Sequence, residues 1–121
     1  MRTILLTLVT LAATAAAFAA DVNGTWKASF DTQIGVQNYT YTFKVEGNKL
    51  TGKAKSELAN AETEIAEGAV NGDDISFVEN LTFMDMPLRI VYKGKIAGDE
   101  IKFTRTILDM FMEELVAKRA K

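Results

Sequence analysis

Apolar and polar side chains alternate with a period of two along most of the chain after Asn23. Over 39–45, Tyr39, Tyr41, Phe43 and Val45 share one face, and Thr40, Thr42 and Lys44 the other. Ile75, Phe77, Leu81 and Phe83 share a face over 75–83. Leu88, Ile90, Tyr92, Gly94 and Ile96 do so over 88–96, with Arg89, Lys93 and Lys95 opposite. Over 101–107, Ile101, Phe103 and Ile107 oppose Lys102, Thr104 and Thr106. Alternation of this kind predicts antiparallel strands with one buried face. A first strand at 24–31 turns Trp26, Ala28 and Phe30 inward. Strands at 49–56 and 63–70 place small residues there: Gly52, Ala54, Ala66 and Gly68. The stretch 57–62 reads as the loop between those two, and Pro87 as a strand start after the Met84-Asp85-Met86 loop.

Three hairpins repeat one design. Val45-Glu46-Gly47-Asn48-Lys49-Leu50, Val70-Asn71-Gly72-Asp73-Asp74-Ile75 and Ile96-Ala97-Gly98-Asp99-Glu100-Ile101 each set an aliphatic residue two before a glycine and another three after it. Glycine beside Asn or Asp supplies the positive φ of a tight turn. With those two residues at the turn centre, the flanking aliphatics pair directly across the hairpin.

Seven strands precede Leu108, and the tail fits two patterns. Leu108, Phe111, Met112, Leu115 and Val116 have helical spacing. As a strand over 111–119, the tail turns Leu115, Ala117 and Arg119 inward. Closure favours the strand, because a seven-stranded meander leaves two open edges that an eighth strand seals. The expected fold is all-β: an antiparallel up-and-down meander of seven or eight strands closing into a lipocalin-like β-barrel, its C-terminal segment a strand or a short helix.

The 20 residues at the start depart from this pattern. One cation, Arg2, precedes an apolar run from Ile4 to about Leu11, and Ala17-Phe18-Ala19 forms a small-x-small cleavage motif. Residues 1–20 therefore read as a secretory signal peptide and 21–121 as a single barrel domain. The run is shorter than the roughly 20 apolar residues of a spanning helix. The expected location is periplasmic or extracellular, with no membrane span after cleavage.

Composition narrows the chemistry. The 121 residues include no cysteine and no histidine, and the net charge is -2. Disulfides, thiol nucleophiles, thiolate zinc sites, Ser-His-Asp triads and imidazole ligands are excluded. There is no basic footprint for nucleic acid. No cofactor or metal is expected, and the chain does not read as an enzyme. Asp73-Asp74 and Asp99-Glu100 sit beside turns without the ligand spacing of a calcium loop. Stability must then come from the core and the hairpins alone.

The opening Asn23-Gly24-Thr25-Trp26-Lys27, the meander and an arginine near the end of the last strand resemble the calycin superfamily, which includes lipocalins, fatty-acid-binding proteins and avidins. There the tryptophan packs across one barrel end against a basic residue from the last strand. The matching residues are Gly24, Trp26 and Arg119. The layout is also similar to small exported bacterial proteins of unassigned function. The chain differs from typical lipocalins in being short and free of cysteine, and it carries no ligand motif of the avidins.

Two charges interrupt apolar faces: Glu79, in phase with Phe77 and Leu81, and Arg105, in phase with Phe103 and Ile107. Turned inward, each needs a partner. They pair with each other, hold a polar head group, or are rotated outward by bulges near the strand ends. In fatty-acid-binding proteins an interior arginine holds a carboxylate, and Arg105 resembles that arrangement in role. Tyr39, Tyr41 and Tyr92 line the same interior, as ligand contacts or as plain core. The small residues of the third and fourth strands either leave space or receive bulky rings from across the barrel. The expected function is an exported module holding a small apolar or amphipathic ligand inside the barrel. The alternative is a solid-core barrel acting through its outer surface as an envelope accessory protein or protein inhibitor.

Overall fold

A computed structural model of the chain describes residues 21–120. The leader expected over 1–20 lies outside the described residues. The strands are β1 (Gly24–Thr32), β2 (Gly35–Glu46), β3 (Lys49–Ser56), β4 (Ala61–Glu64), β5 (Ala66–Asn71), β6 (Asp74–Phe83), β7 (Met86–Ala97), β8 (Glu100–Ile107) and β9 (Phe111–Arg119). All pairings are antiparallel between chain neighbours, except that β3 also pairs with β5 and β9 returns to β1. With β2 also pairing β3, the sheet closes into a barrel. The tail is a strand, as closure requires, and not a helix.

The expected strand at 63–70 is divided. β4 ends at Glu64, β5 starts at Ala66, and a register shift follows between Ala66 and Ala69. Glu67 sits there at φ 53. β4 and β5 together fill one staggered position of the wall, so the closed barrel has eight wall positions. A barrel of this size has an interior that side chains can just fill.

The three glycine hairpins pair as their spacing predicts: Val45 with Leu50, Val70 with Ile75, and Ile96 with Ile101. Gly47, Gly72 and Gly98 have φ of 63, 57 and 62, the glycine-first form of a two-residue hairpin. These turns share one end, the base, with the start of β1 and the end of β9. The connections at 33–34, 57–60, 84–85 and 108–110 form the opposite end, the mouth.

The base is sealed. Trp26 is fully buried and donates from its indole N–H to the Val22 carbonyl at 3.0 Å. The Arg119 guanidinium lies 4.5 Å from the Trp26 ring. It donates to the carbonyls of Asn23 and Asp21, both at 3.0 Å, and to the Asp99 carboxylate at 2.9 Å. Gly24 passes beneath this guanidinium at φ 123, where a β-carbon would lie 3.7 Å from Arg119 Nη1.

The centre is solid. Tyr39, Tyr41 and Phe43 stack along β2 with centroids 5.3 and 5.8 Å apart. Phe77 and Tyr92 stack at 4.3 Å, and Phe103 meets both edge-on. The small residues serve this packing. A β-carbon on Gly94 would lie 2.6 Å from the Phe103 ring. One on Gly52 or Gly68 would strike the backbone of Thr42 or Leu50. These glycines therefore mark close approach of ring or backbone, not empty space.

Candidate functional site

Period-two alternation carries Glu79 on β6 and Arg105 on β8 into the interior, where their residues are 0% and 1% exposed. No bulge turns them out. Tyr39 donates its hydroxyl to Glu79 Oε2 at 2.8 Å, and Tyr92 donates to Oε1 at 2.9 Å. Tyr41 donates to the Tyr92 oxygen at 2.9 Å. Arg105 donates from Nη1 to the Tyr92 oxygen at 2.9 Å and from Nε to Glu113 Oε1 at 2.7 Å. Arg105 Nη1 lies 3.8 Å from Glu79 Oε1. Its carbon Cζ also lies 4.8 Å from the Phe30 ring centre and 5.2 Å from that of Tyr39.

The five candidate residues thus form one connected network, and Arg105 has its closest counter-charge outside it, in Glu113, as a buried charge needs a partner. Burial pushes the Glu79 carboxyl up from its ordinary value, against the opposing pull of its hydroxyl donors and Arg105. Burial likewise pushes the Tyr39 hydroxyl up to about 12 and those of Tyr41 and Tyr92 well above their ordinary value. Burial opposes the Arg105 charge, yet the facing Tyr92 and Tyr39 oxygens outweigh it, and the guanidinium is held above its usual range.

Above this network, at the mouth, lies a cavity of about 210 Å³. Leu81, Leu88, Ile90 and Ile107 give it apolar walls, while Arg105, Glu113, Gln37 and Ser56 bring polar atoms to it. Of the five candidates only Arg105 lines it; Glu79 and the tyrosines lie below and support the guanidinium. Gln37 is 6% exposed, and its Oε1 has no hydrogen-bond partner.

Gln37 and Glu113 were not singled out by pattern. Both were within reach of the period: Gln37 is two residues before Tyr39, and Glu113 two before Leu115 on the same inward phase. The predicted second strand began too late to include Gln37, and the ambiguity of the tail hid Glu113.

Around the mouth, Ile34, Leu58, Met84, Met86, Met110 and Phe111 are exposed. Asp31, Glu57, Asp85, Asp109, Glu113 and Glu114 stand among them, and the segments 31–37, 56–60, 81–88 and 106–115 contain no lysine or arginine. A larger open groove of about 1070 Å³ follows the β1–β9 seam, lined by outward Lys27, Ser29 and Thr104 and by Phe30, Phe103 and Leu115 of the core.

Among the described residues no group of three or more acidic side chains is placed to hold a metal ion. No helix among them is long and apolar enough to cross a membrane. No family model, curated protein or solved structure matches the chain in comparison.

Proposed function

We propose that the protein is an exported small-molecule-binding module that takes an apolar or amphipathic ligand through the mouth of its barrel. The mouth cavity carries this reading: apolar walls, few convergent polar atoms and one buried acceptor without a partner are what a ligand site requires. Glu79, Tyr39, Tyr41 and Tyr92 act as the support that fixes Arg105 beneath the ligand. Export rests on the leader-like residues 1–20. Kinship with the calycins, and with small exported bacterial proteins, is part of the same proposal. It is supported by Gly24 and by Trp26 packing on Arg119.

The test is native mass spectrometry of the exported protein purified without detergent. A ligand of small mass released on unfolding, and lost in a variant whose cavity is filled by Ser56→Phe, supports the reading. Ligand-free protein from every host, together with no thermal shift across a library of amphiphiles, rejects it.

The filled centre favours a second reading, in which the barrel acts through its outer surface as an envelope accessory protein or inhibitor. Recovery of one stoichiometric protein partner from periplasmic extract, abolished by polar substitution of Met84 and Met110, would select it over the first.

A further inference from the structure

We propose that the head group received in the mouth cavity is a positively charged hydrogen-bond donor, an alkylammonium, and that carboxylates are rejected. This rests on the small-molecule reading above and specifies its ligand.

An interior arginine suggests a carboxylate-binding site, but the charge of Arg105 is already matched, its hydrogen bonds running from Nε and Nη1. Its Nε lies 2.7 Å from Glu113 and its Nη1 lies 2.9 Å from the Tyr92 oxygen. Glu79 stands 3.8 Å from Nη1. One cation facing two carboxyl groups has no charge to spare for an entering anion, and an unpaired anion here would be desolvated at high cost.

A buried polar atom of the wall that lacks a partner is an acceptor. Gln37 Oε1 is buried in the cavity wall and receives no hydrogen bond. Such a group bears the cost of its desolvation until a donor reaches it. Glu113 lines the same cavity, and its Oε1 is the atom held by Arg105. An ammonium has three donors and no acceptor, which suits two acceptor-bearing residues on one cavity.

The rim selects the same sign. Asp31, Glu57, Asp85 and Asp109 lie in or beside the mouth connections, which hold no lysine or arginine, and Arg89 just below them is paired with Glu67. An entrance ringed by charge of one sign raises the local concentration of the opposite ion. The exposed side chains of Ile34, Leu58, Met84 and Phe111 then cover the hydrocarbon as it leaves the cavity. A volume of about 210 Å³ holds on the order of seven water-sized groups at about 30 Å³ each, which matches a short alkyl chain with its head.

Three probes of equal chain length separate the possibilities: hexylammonium, hexanol and hexanoate, each titrated into ¹⁵N-labelled residues 21–121 while backbone amide shifts are followed. Hexylammonium is expected to shift Ile34, Gln37, Leu58, Leu88 and Glu113. It should half-saturate at a concentration at least about tenfold below hexanoate at low salt, the gap shrinking at high salt as charges are screened. Gln37→Leu should weaken hexylammonium and hexanol by about fivefold each, through loss of one hydrogen bond. Hexanoate binding as tightly as hexylammonium at low salt overturns the choice of head group and leaves the cavity as a site. Absence of mouth shifts with all three probes removes the site itself, and the small-molecule reading with it.

Discussion

Glu79 is the residue on which the chemistry of the interior turns. Its carboxyl is buried among two tyrosine hydroxyls and Arg105, and burial raises its affinity for a proton. The folded chain therefore holds that proton more tightly than the unfolded chain does. The resulting stabilisation is fully present below the ordinary value of 4.5 and is lost as pH rises through the raised folded value. Glu79→Gln keeps the shape and stays neutral. Its stability relative to the parent should climb as pH rises above 4.5 and level off once the parent carboxyl has ionised, as urea titrations read; a constant difference would mean that burial does not shift the carboxyl. Arg105 behaves oppositely on removal. Arg105→Met leaves Glu79 and Glu113 without their cation, and about 3–5 kcal/mol should be lost at neutral pH. That cost should fall when Glu79→Gln is added, which a double-mutant cycle measures.

The elements differ between the two ends of the barrel. Base hairpins place glycine at positive φ, whereas at the mouth Met84 and Asp85 have φ of 53 and 65, and Leu108 and Asp109 have 54 and 57. A side chain in that region costs about 1–2 kcal/mol. Met84→Gly should therefore raise stability by about 0.5–1 kcal/mol, after the added freedom of the unfolded chain is subtracted. Gly72→Ala should lower it by about 1–2 kcal/mol; chemical denaturation of the pair shows whether the strain is real. Strained apolar tips persist where something other than stability keeps them, which agrees with a working mouth.

The seam is the weak element. β1 and β9 share only the pairs Trp26–Arg119 and Lys27–Lys118, with the Ala120 N–H on the Thr25 carbonyl at 2.8 Å. By strand alternation Ser29, Asp31, Glu114 and Val116 direct their backbone groups into the unpaired stretch. Their amides should exchange with solvent orders of magnitude faster than those of Phe77 and Tyr92, a hydrogen-bonded pair of the long β6–β7 ladder. Equal protection would show that the seam is closed along its whole length.

The hairpins, the inward phases and the strand at the tail were legible because turn glycines and period two act locally. The break at Ile65, the bulge at Glu67 and the splayed seam were not, since they answer to the curvature of a closed wall. The same division holds for the site. Inward Glu79 and Arg105 followed from phase alone. That Arg105 is neutralised by Glu113, and that the empty volume lies above the tyrosines, depends on contacts between strands far apart in sequence.

At the scale of the whole molecule the seals and the proposed binding site lie at opposite ends of the barrel. The base carries the Trp26–Arg119 seal and the glycine turns; the mouth carries exposed hydrophobics, acidic side chains and the cavity. If the two ends are independent, their substitutions should have separate consequences. Arg119→Ala removes three hydrogen bonds and a cation–π contact, of which only the partly buried share counts, so about 2 kcal/mol should be lost. The amide shifts of Gln37 and Leu88 should stay as in the parent. Neutralising the rim with Asp31→Asn and Asp85→Asn should leave stability within about 0.5 kcal/mol, because both are exposed surface positions. It should nevertheless flatten the salt dependence of hexylammonium binding, since the acidic field is what salt screens. Loss of mouth shifts on Arg119→Ala would show that the seal at the base shapes the cavity through the solid centre, and that the two ends work as one unit.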